Sequence, residues 1–192
     1  MAGKRLAVAW IGIGSNLGHP LQRCLRVIAA LARHPRIHLV QVSSCYRTQP
    51  VGFGRQPWFI NAVAEIATSL PPLALLRTLQ RLETRFGRDR RHEFKNGPRS
   101  MDLDLLFHDQ RVLRHPLLRL PHPGISHRRF VLVPLAEISP RLLHPVMGKT
   151  IDLLLKETDD VSQVVRVVLE NKKKSNNAPP FVINDGGSLP EF

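Results

Sequence analysis

Two aspartates, Asp102 and Asp104, interrupt an otherwise apolar stretch in the segment GPRSMDLDLLFHD (residues 97–109). Residues two apart on a strand point to the same face, roughly 6.5 Å from each other, so the two carboxylates can share one divalent cation or hold two. Mg²⁺ suits such a pair, because it takes one or two carboxylates and completes its shell with water and substrate phosphates. The bare pattern also fits the acidic, half-solvated face of an ordinary strand.

Basic residues are concentrated just before the aspartates, namely Arg88, Arg90, Arg91, Lys95 and Arg99. Guanidinium groups bind phosphate oxygens in a two-pronged fashion. Phosphoryl-type transfer needs positioning and charge neutralisation more than covalent help from the protein. Taken alone, a basic loop is equally well explained by surface ion pairs; beside two carboxylates, it favours metal-assisted chemistry on a polyphosphate.

The elements that must position these groups follow an alternating order. Apolar runs and helical periodicity, together with turn residues, predict a strand at 6–13, a helix from Pro20 to His34-Pro35, strands at 37–46 and 58–67, a helix from Pro71-Pro72 to Gly87, and a strand at 101–107. This β-α-β-β-α-β order predicts an α+β, ferredoxin-like sandwich in which both helices cover one face of the sheet.

The remaining segments divide into loops, additions and a tail. A long Pro/Gly loop (47–57) and a basic loop (88–96) are expected to flank the site, since long loops inside compact domains are usually functional. Residues 111 to about 169 add a short strand, a Pro/His-rich segment, a helix at about 150–157 and a Val-rich strand. We expect one domain over 1–169 and a flexible tail over 170–192, whose polar composition cannot bury a core.

Composition limits the class of protein. The chain has 192 residues, 43% of them hydrophobic, which is enough for a globular domain. The net charge of +13 implies an anionic partner (a phosphate-rich ligand, a nucleic acid or an acidic surface) without choosing among them. Without an apolar run of 18 residues or a signal cleavage site, we expect a cytoplasmic protein. Cys24 and Cys45 lack metal-binding spacing and are expected to be buried, inert thiols.

Five segments in this order, GSNLG, SSCYRTQPVG, QPWFINAV, GRDRR…NGPRSMDLDLL and LPHPGISHRRFVLVPLAEI, resemble the 6-hydroxymethyl-7,8-dihydropterin pyrophosphokinase family of folate biosynthesis. The resemblance runs from about residue 7 to residue 158. It implies that ATP donates its β,γ-diphosphate to the hydroxymethyl group of 6-hydroxymethyl-7,8-dihydropterin and releases AMP. It also implies two Mg²⁺ ions, small-molecule substrates, no nucleic-acid or membrane partner, and a monomer.

The resemblance assigns roles residue by residue. Catalytic positions are Arg88, Arg90, Arg99, Asp102 and Asp104, of which Asp102 and Asp104 hold metal. ATP-binding positions are Gln80, Glu83, Arg88, Arg99, His122 and Arg128. Pterin-binding positions are Thr48, Pro50, Val51, Phe59, Asn61 and Phe130.

The pterin assignments also have a physical reason. Asn61 lies in the middle of a strand, where an amide is disfavoured unless it has partners. An amide carries donors and an acceptor, so it can read the polar edge of a flat heterocycle. Phe59 lies two residues away on the same face, where an aromatic ring can stack on that heterocycle. An asparagine that bonds only to neighbouring backbone is the alternative.

Three positions depart from the pattern of the family. Asn96 stands where some family members carry Trp, Pro123 where some carry Tyr, and Phe59 where some carry Tyr. Two rival functions are a ferredoxin-like nucleic-acid-binding module and a metal-dependent nuclease. The first needs exposed aromatic and basic residues on the open sheet face, where two acids lie instead; the second lacks an obvious third acid or histidine base nearby.

Overall fold

The structure is a computed structural model that describes residues 5–51, 56–89 and 97–168. Its strands are β1 (Ala7–Ser15), β2 (Ile37–Val42), β3 (Tyr46–Thr48), β4 (Phe59–Thr68), β5 (Asp102–His108), β6 (Leu113–His115), β7 (Leu118–Leu120) and β8 (Val164–Arg166). Its helices are α1 (Pro20–Ala32), α2 (Pro72–Arg85), α3 (Arg129–Ile138) and α4 (Ile151–Glu157), with a 3-10 turn at Ile125–His127.

The main sheet is antiparallel and has the order β5-β1-β4-β3-β8, with β2 also paired to β4. Strands β6 and β7 form a separate hairpin. Because β1 lies between β4 and β5, Gly14 is paired with Asn61 on one side and with Asp102 on the other. The strand order therefore brings the amide and the carboxylates, about forty positions apart in the chain, to either side of one central strand.

The first hydrophobic core lies between α1, α2 and one face of the sheet. Helix α1 buries Leu21, Cys24, Val27 and Leu31, which recur at helical spacing. Leu75 and Leu79 do the same in α2, and these side chains pack against Ile11, Ile13, Ala62, Ala64, Leu103 and Leu105 of the sheet. The prediction that both helices cover one face of the sheet is thus confirmed.

A second helical layer covers the opposite face and was only partly predicted. Helix α4 matches the predicted helix at 150–157, but α3 occupies residues that were predicted to be a Pro/His-rich segment. Pro134 lies inside α3, and an interior proline normally argues against a helix because it lacks the N–H donor. Here the burial of Val131, Leu132 and Leu135 against sheet residues outweighs that cost.

The predicted strand at 37–46 is two strands, because Ser43 to Cys45 leave the regular ladder. The side-chain hydroxyl of Ser43 accepts a hydrogen bond from the Val63 backbone N–H at 2.9 Å, and the Ser43 N–H donates to the Val63 carbonyl at 2.9 Å. These two bonds satisfy the Val63 backbone groups while the chain shifts from β2 to β3.

A one-residue bulge in β5 adjusts which side chains face each core. Ile11 is paired with Leu105 and Trp10 with Phe107, so Leu106 is the extra residue. Leu105 therefore joins the first core, while Leu106 and Phe107 join the second. Both aspartates precede the bulge, so they keep the common face that their spacing predicts.

Cys24 and Cys45 are buried free thiols, as expected from the sequence. Burial raises the pKa of Cys24, and it raises the pKa of Cys45 to about 11, so both remain protonated at neutral pH and are poor nucleophiles. Among the described residues, no helix is long and apolar enough to cross a membrane.

Candidate active site

The Asp102 carboxylate is held by two arginines. Its Oδ1 accepts a hydrogen bond from Arg88 Nη1 at 2.5 Å, and its Oδ2 accepts one from Arg99 Nη1 at 2.8 Å. The side chains of all three residues are partly or largely shielded from solvent, which strengthens the ion pairs relative to surface pairs. Two of the basic residues that precede the strand therefore contact the first aspartate instead of only facing solvent.

Glu83 completes this ionic network from helix α2. Its side chain is 1% exposed and forms an ion pair with Arg88. Its Oε1 also accepts the Leu103 backbone N–H at 2.9 Å, so it ties the end of α2 to strand β5. Glu83 and the exposed Gln80 lie outside the set of residues that line the cleft described below, and their role in ATP binding stays a prediction.

Asp104 differs from Asp102 in its electrostatic surroundings. Burial and the neighbouring Asp102 charge raise the pKa of Asp104 to about 7, against the opposing effect of Arg128 and Arg99. Among the described residues, no hydrogen bond reaches its carboxylate. At neutral pH, a large share of Asp104 is thus protonated, and an added cation would favour the ionised carboxylate.

The turn after β1 fixes the backbone that carries Arg99. Asn16 Oδ1 accepts the Arg99 N–H at 2.8 Å, and the Asn16 N–H donates to the Arg99 carbonyl at 3.1 Å. Ser15 Oγ donates to the Ser100 carbonyl at 2.7 Å, and Asn16 Nδ2 donates to the Pro57 carbonyl at 3.0 Å. These two buried polar residues were not among the predicted site residues; the signal was a polar pair at the end of a buried strand.

At the other end of the site, Asn61 is buried and held in one orientation. Its Nδ2 donates to Thr48 Oγ1 at 2.7 Å, and its side chain is 7% exposed. A Cβ atom on Gly14 would lie 2.7 Å from Asn61 Oδ1, which is closer than van der Waals contact allows. Gly14 therefore makes room for the amide, a role that was also missed because it depends on the strand order.

One cleft joins the two ends of the site. It contains all six predicted pterin residues, three of the catalytic positions and Arg128, together with three residues that were not predicted. Its lining is Gly14, Thr48, Gln49, Pro50, Val51, Gln56, Phe59, Asn61, Arg99, Asp102, Asp104, Arg128 and Phe130. We call the part around Asp102 and Asp104 the carboxylate end, and the part around Phe59, Asn61 and Phe130 the ring end.

Arg128 lies between the two ends. Its guanidinium carbon is 5.8 Å from the centre of the Phe130 ring, within reach of a cation–π contact. The guanidinium also packs on Gly124, where a Cβ atom would lie 2.7 Å from Arg128 Nε. A glycine at position 124 thus allows the arginine to approach the backbone closely.

His122 is a neutral side chain next to the cleft. Burial and the nearby Arg128 charge lower the pKa of His122 to about 4, although Asp102 opposes the shift. Its Nδ1 accepts the Gly124 N–H at 3.1 Å, so the ring proton is assigned to Nε2. His122 lines a separate depression beside the β6–β7 hairpin, and its contact with ATP stays a prediction.

Some predicted positions cannot be placed. Arg90 and Asn96 lie outside the described residues, as do residues 52–55 of the first loop. Within the described ranges, no three His, Cys, Asp or Glu side chains are grouped closely enough to hold a metal. A metal at the carboxylate end would therefore rest on two protein carboxylates and on oxygens of water and substrate, which is a donor set that Mg²⁺ accepts.

The fold and the cleft together define an α+β domain with carboxylate and guanidinium groups at one end of the cleft and aromatic and amide groups at the other. A family model described as 7,8-dihydro-6-hydroxymethylpterin-pyrophosphokinase matches residues 10–140. The chain belongs to this family of ATP-dependent pyrophosphokinases of folate biosynthesis.

Curated relatives agree with the family match. The 2-amino-4-hydroxy-6-hydroxymethyldihydropteridine pyrophosphokinase of Synechocystis sp. is 42% identical over 151 residues, covering 79% of this chain and 76% of that protein. The Haemophilus influenzae protein of the same name is 39% identical over 140 residues, covering 73% and 86%. The folic acid synthesis protein fol1 of Schizosaccharomyces pombe is 32% identical over 192 residues, covering 95% of this chain and 26% of that longer protein.

Solved structures support the fold. The chain matches the HPPK-DHPS of Plasmodium falciparum crystallised with pteroate at a TM-score of 0.65 and 14% identity. The match covers 82% of this chain and 43% of that chain, so this chain spans less than half of the longer protein. At this identity the likeness shows the fold alone.

Proposed function

We propose that the carboxylate end of the cleft binds ATP with Mg²⁺ and that the ring end binds 6-hydroxymethyl-7,8-dihydropterin. The observation that carries this proposal is that one cleft is lined by the aspartate pair and also by the buried Asn61 amide and two aromatic side chains. Asp102 and Asp104 would hold two Mg²⁺ ions. The raised pKa of Asp104 supports this assignment, because the folded protein leaves that carboxylate short of positive charge.

In the proposed reaction, the hydroxymethyl oxygen attacks the β-phosphorus of ATP and loses its proton. The bond from that phosphorus to the α,β-bridging oxygen breaks, and AMP leaves with the bridging oxygen. When bound, Mg²⁺ supplies polarisation of the phosphates and charge neutralisation. Arg99 and Arg128 line the cleft and are placed to stabilise the charge that develops on the transferring diphosphate.

The ion pairs on Asp102 imply an exchange of partners on binding. Both carboxylate oxygens accept hydrogen bonds, one from Arg88 and one from Arg99. Asp102 would offer these oxygens to a divalent cation, and Arg88 and Arg99 would then turn toward the phosphates. Because each charge gains a new partner as it loses the old one, the exchange avoids leaving a buried charge unpaired.

The ring end is suited to a pterin by its neutral chemistry. Asn61 offers an amide whose orientation is fixed by Thr48, and Phe59 and Phe130 supply aromatic faces. The aromatic faces would hold the plane of the ring while the amide reads its polar edge. The loop from Thr48 to Val51 is placed to add backbone hydrogen bonds.

Three further assignments belong to this proposal. The strand order β5-β1-β4 followed by β2 and β3 supports a ferredoxin-like classification of the central sheet. We also propose one domain over residues 1–169 and a tail over residues 170–192. Residues 169–192 lie outside the described ranges. We also propose that the enzyme acts as a monomer.

A nucleic-acid-binding module remains the rival function. It would require an accessible sheet face with aromatic and basic residues. Helices α3 and α4 cover part of the face that such modules leave open, and the rest of that face carries Asp102 and Asp104. The structure therefore offers this rival little support, and the family match favours the enzyme.

Replacing Asp104 tests the proposal. Asp104→Asn should retain the parent's melting temperature within a few degrees, lose nearly all AMP formation, and lose the added thermal stabilisation that MgATP gives the parent. Asp159→Asn, which removes an exposed carboxylate outside the cleft, is the matched control and should behave as the parent. A large fall in melting temperature with turnover per folded molecule intact would instead assign Asp104 a structural role.

A further inference from the structure

The two walls of the cleft are joined by one C-terminal segment, residues 158–168, which we call the brace. Its strand β8 pairs with β3, with Val164 opposite Thr48. The Gln49 N–H donates to the Gln163 carbonyl at 3.0 Å. The brace is therefore attached to the wall of the cleft that contains Thr48 and Gln49.

The brace is attached to the opposite wall through Asp160. Its Oδ2 accepts the backbone N–H of Arg129, the first residue of α3, at 2.7 Å. Its Oδ1 accepts the Ser162 N–H at 2.9 Å, which fixes the orientation of the carboxylate. One side chain thus couples the brace to the start of a helix thirty-one positions earlier in the chain.

Helix α3 depends on this distant acceptor. The first N–H groups of a helix have no partner within the helix, and Arg128 at the N-cap position supplies no side-chain cap. An aspartate at this place provides the missing acceptor and a negative charge at the positive end of the helix dipole. Asp160 therefore performs the capping role that is usually filled by the residue directly before the helix.

The capped residue lies between two residues that line the cleft, Arg128 and Phe130. We propose that Asp160 is a positioning residue: by fixing the start of α3 to the brace, it sets the position of Phe130 and Arg128 relative to Thr48 and Asn61. This inference rests on the proposed function, since it takes Phe130 as a wall of the pterin site. Asp160 itself does not line the cleft.

The test compares two caps in the second helical layer. Asp160→Ala removes the cap of α3, and Thr150→Ala removes the side-chain cap of α4, which accepts the Leu153 N–H. Both should lower the melting temperature by a few degrees. Only Asp160→Ala should raise the KM for the pterin, by about 5- to 10-fold, because only α3 contributes to the cleft.

A conservative variant and a double-mutant cycle complete the design. Asp160→Asn keeps one acceptor oxygen for the Arg129 N–H but loses the bond from Ser162, so its pterin KM should lie between those of Asp160→Ala and the parent. In a cycle with Phe130→Ala, the two losses should be clearly less than additive, since Asp160 acts through Phe130. Additive losses, or a pterin KM in Asp160→Ala equal to that of Thr150→Ala, would overturn the inference.

The activity of the parent enzyme shows whether the proposed function or only the positioning role of Asp160 is wrong. If the parent forms no AMP from ATP and the pterin, the proposed function is wrong. If the parent is active but Asp160→Ala keeps the parent's pterin KM, the function stands and the positioning role is wrong.

Discussion

The two ends of the cleft keep their shape in different ways. At the carboxylate end, ion pairs from Arg88 and Arg99 hold Asp102. At the ring end, a neutral hydrogen bond from Asn61 to Thr48 and the close approach of Gly14 hold the amide. Ionic partners can be exchanged without moving the backbone, whereas a closely packed amide has no room to shift. Substitutions at the carboxylate end should therefore lower turnover, and substitutions at the ring end should weaken binding of the pterin.

The largest expected effect is at the carboxylate end. Arg99→Ala should lower turnover at saturating substrate by about 10²- to 10³-fold, because a charge that stabilises the transferring diphosphate is removed. The melting temperature should change by only a few degrees, since the ion pair of Arg99 with Asp102 lies in the lining of the cleft and is partly exposed to solvent. AMP formation measures the effect, with Arg26→Ala on the exposed face of α1 as the control. Turnover within a few-fold of the parent would mean that Arg99 does not contact the phosphates.

A smaller effect is expected at the ring end from one added methyl group. Gly14→Ala would place a Cβ atom 2.7 Å from Asn61 Oδ1 and displace the amide from Thr48. We expect the KM for the pterin to rise by about 10- to 100-fold, as for the loss of a buried polar contact, with the KM for ATP within about twofold of the parent.

Gly12→Ala is the matched control on the same strand. Its Cβ would lie no closer than 3.5 Å to its nearest neighbour, a Leu106 methyl group, which is ordinary contact. Pterin binding should therefore stay close to that of the parent. Equal losses in the two variants would show that strand β1, rather than the amide, is sensitive to substitution.

Between the ends, Gly124→Ala should have a modest effect through Arg128. The backbone at position 124 (φ −88°, ψ 0°) is open to alanine, but the new Cβ would collide with the guanidinium. Because the guanidinium is the mobile end of its side chain, it moves and the fold stays intact. We expect kcat/KM for ATP to fall by about 3- to 10-fold with an unchanged melting temperature. A variant that loses stability instead would place the strain in the backbone.

The smallest effect is on stability and depends on pH. The pKa of Asp104 is raised to about 7 in the folded protein, so the folded state binds this proton more tightly than the unfolded state does. Its destabilising contribution is absent below about pH 4, grows as the pH rises, and is complete above about pH 7. Relative to the parent without ligand, Asp104→Asn should be more stable at pH 8 than at pH 5 by on the order of 1–2 kcal/mol, since partial solvent exposure limits the penalty.

Thermal unfolding at the two pH values measures this difference. The exposed Asp159→Asn serves as the control and should show the same offset from the parent at both. An offset for Asp104→Asn that does not change with pH would mean that the carboxylate is compensated in the folded protein.

The central elements of the fold were predictable because their signals are local. The apolar stripes of α1 and α2 and the proline at the start of each gave both helices. Helix α3 was not predicted, because Pro134 opposes a helix locally and only burial in the second core favours it. The separation of β2 from β3 likewise depends on hydrogen bonds from Ser43 to a distant strand.

The site divides in the same manner. Asp102, Asp104 and Asn61 were identified because a polar group inside an apolar strand needs a reason. Gly14 and Asn16 were missed, since their roles exist only once β1 lies beside its two neighbours. The buried position of Glu83 was also inaccessible from the sequence, because the partners that stabilise it come from another strand and from a loop.

The bulge at Leu106 has a consequence for how strand β5 tolerates change. An insertion or deletion in a regular strand exchanges inside and outside for every residue beyond it. In β5 this exchange already occurs between Leu105 and Phe107. The side chains of the segment that carries the aspartates therefore alternate between the two faces of the sheet independently of those in the segment that packs against Trp10. Side-chain volume in the packing segment can therefore change while the aspartates keep facing the cleft.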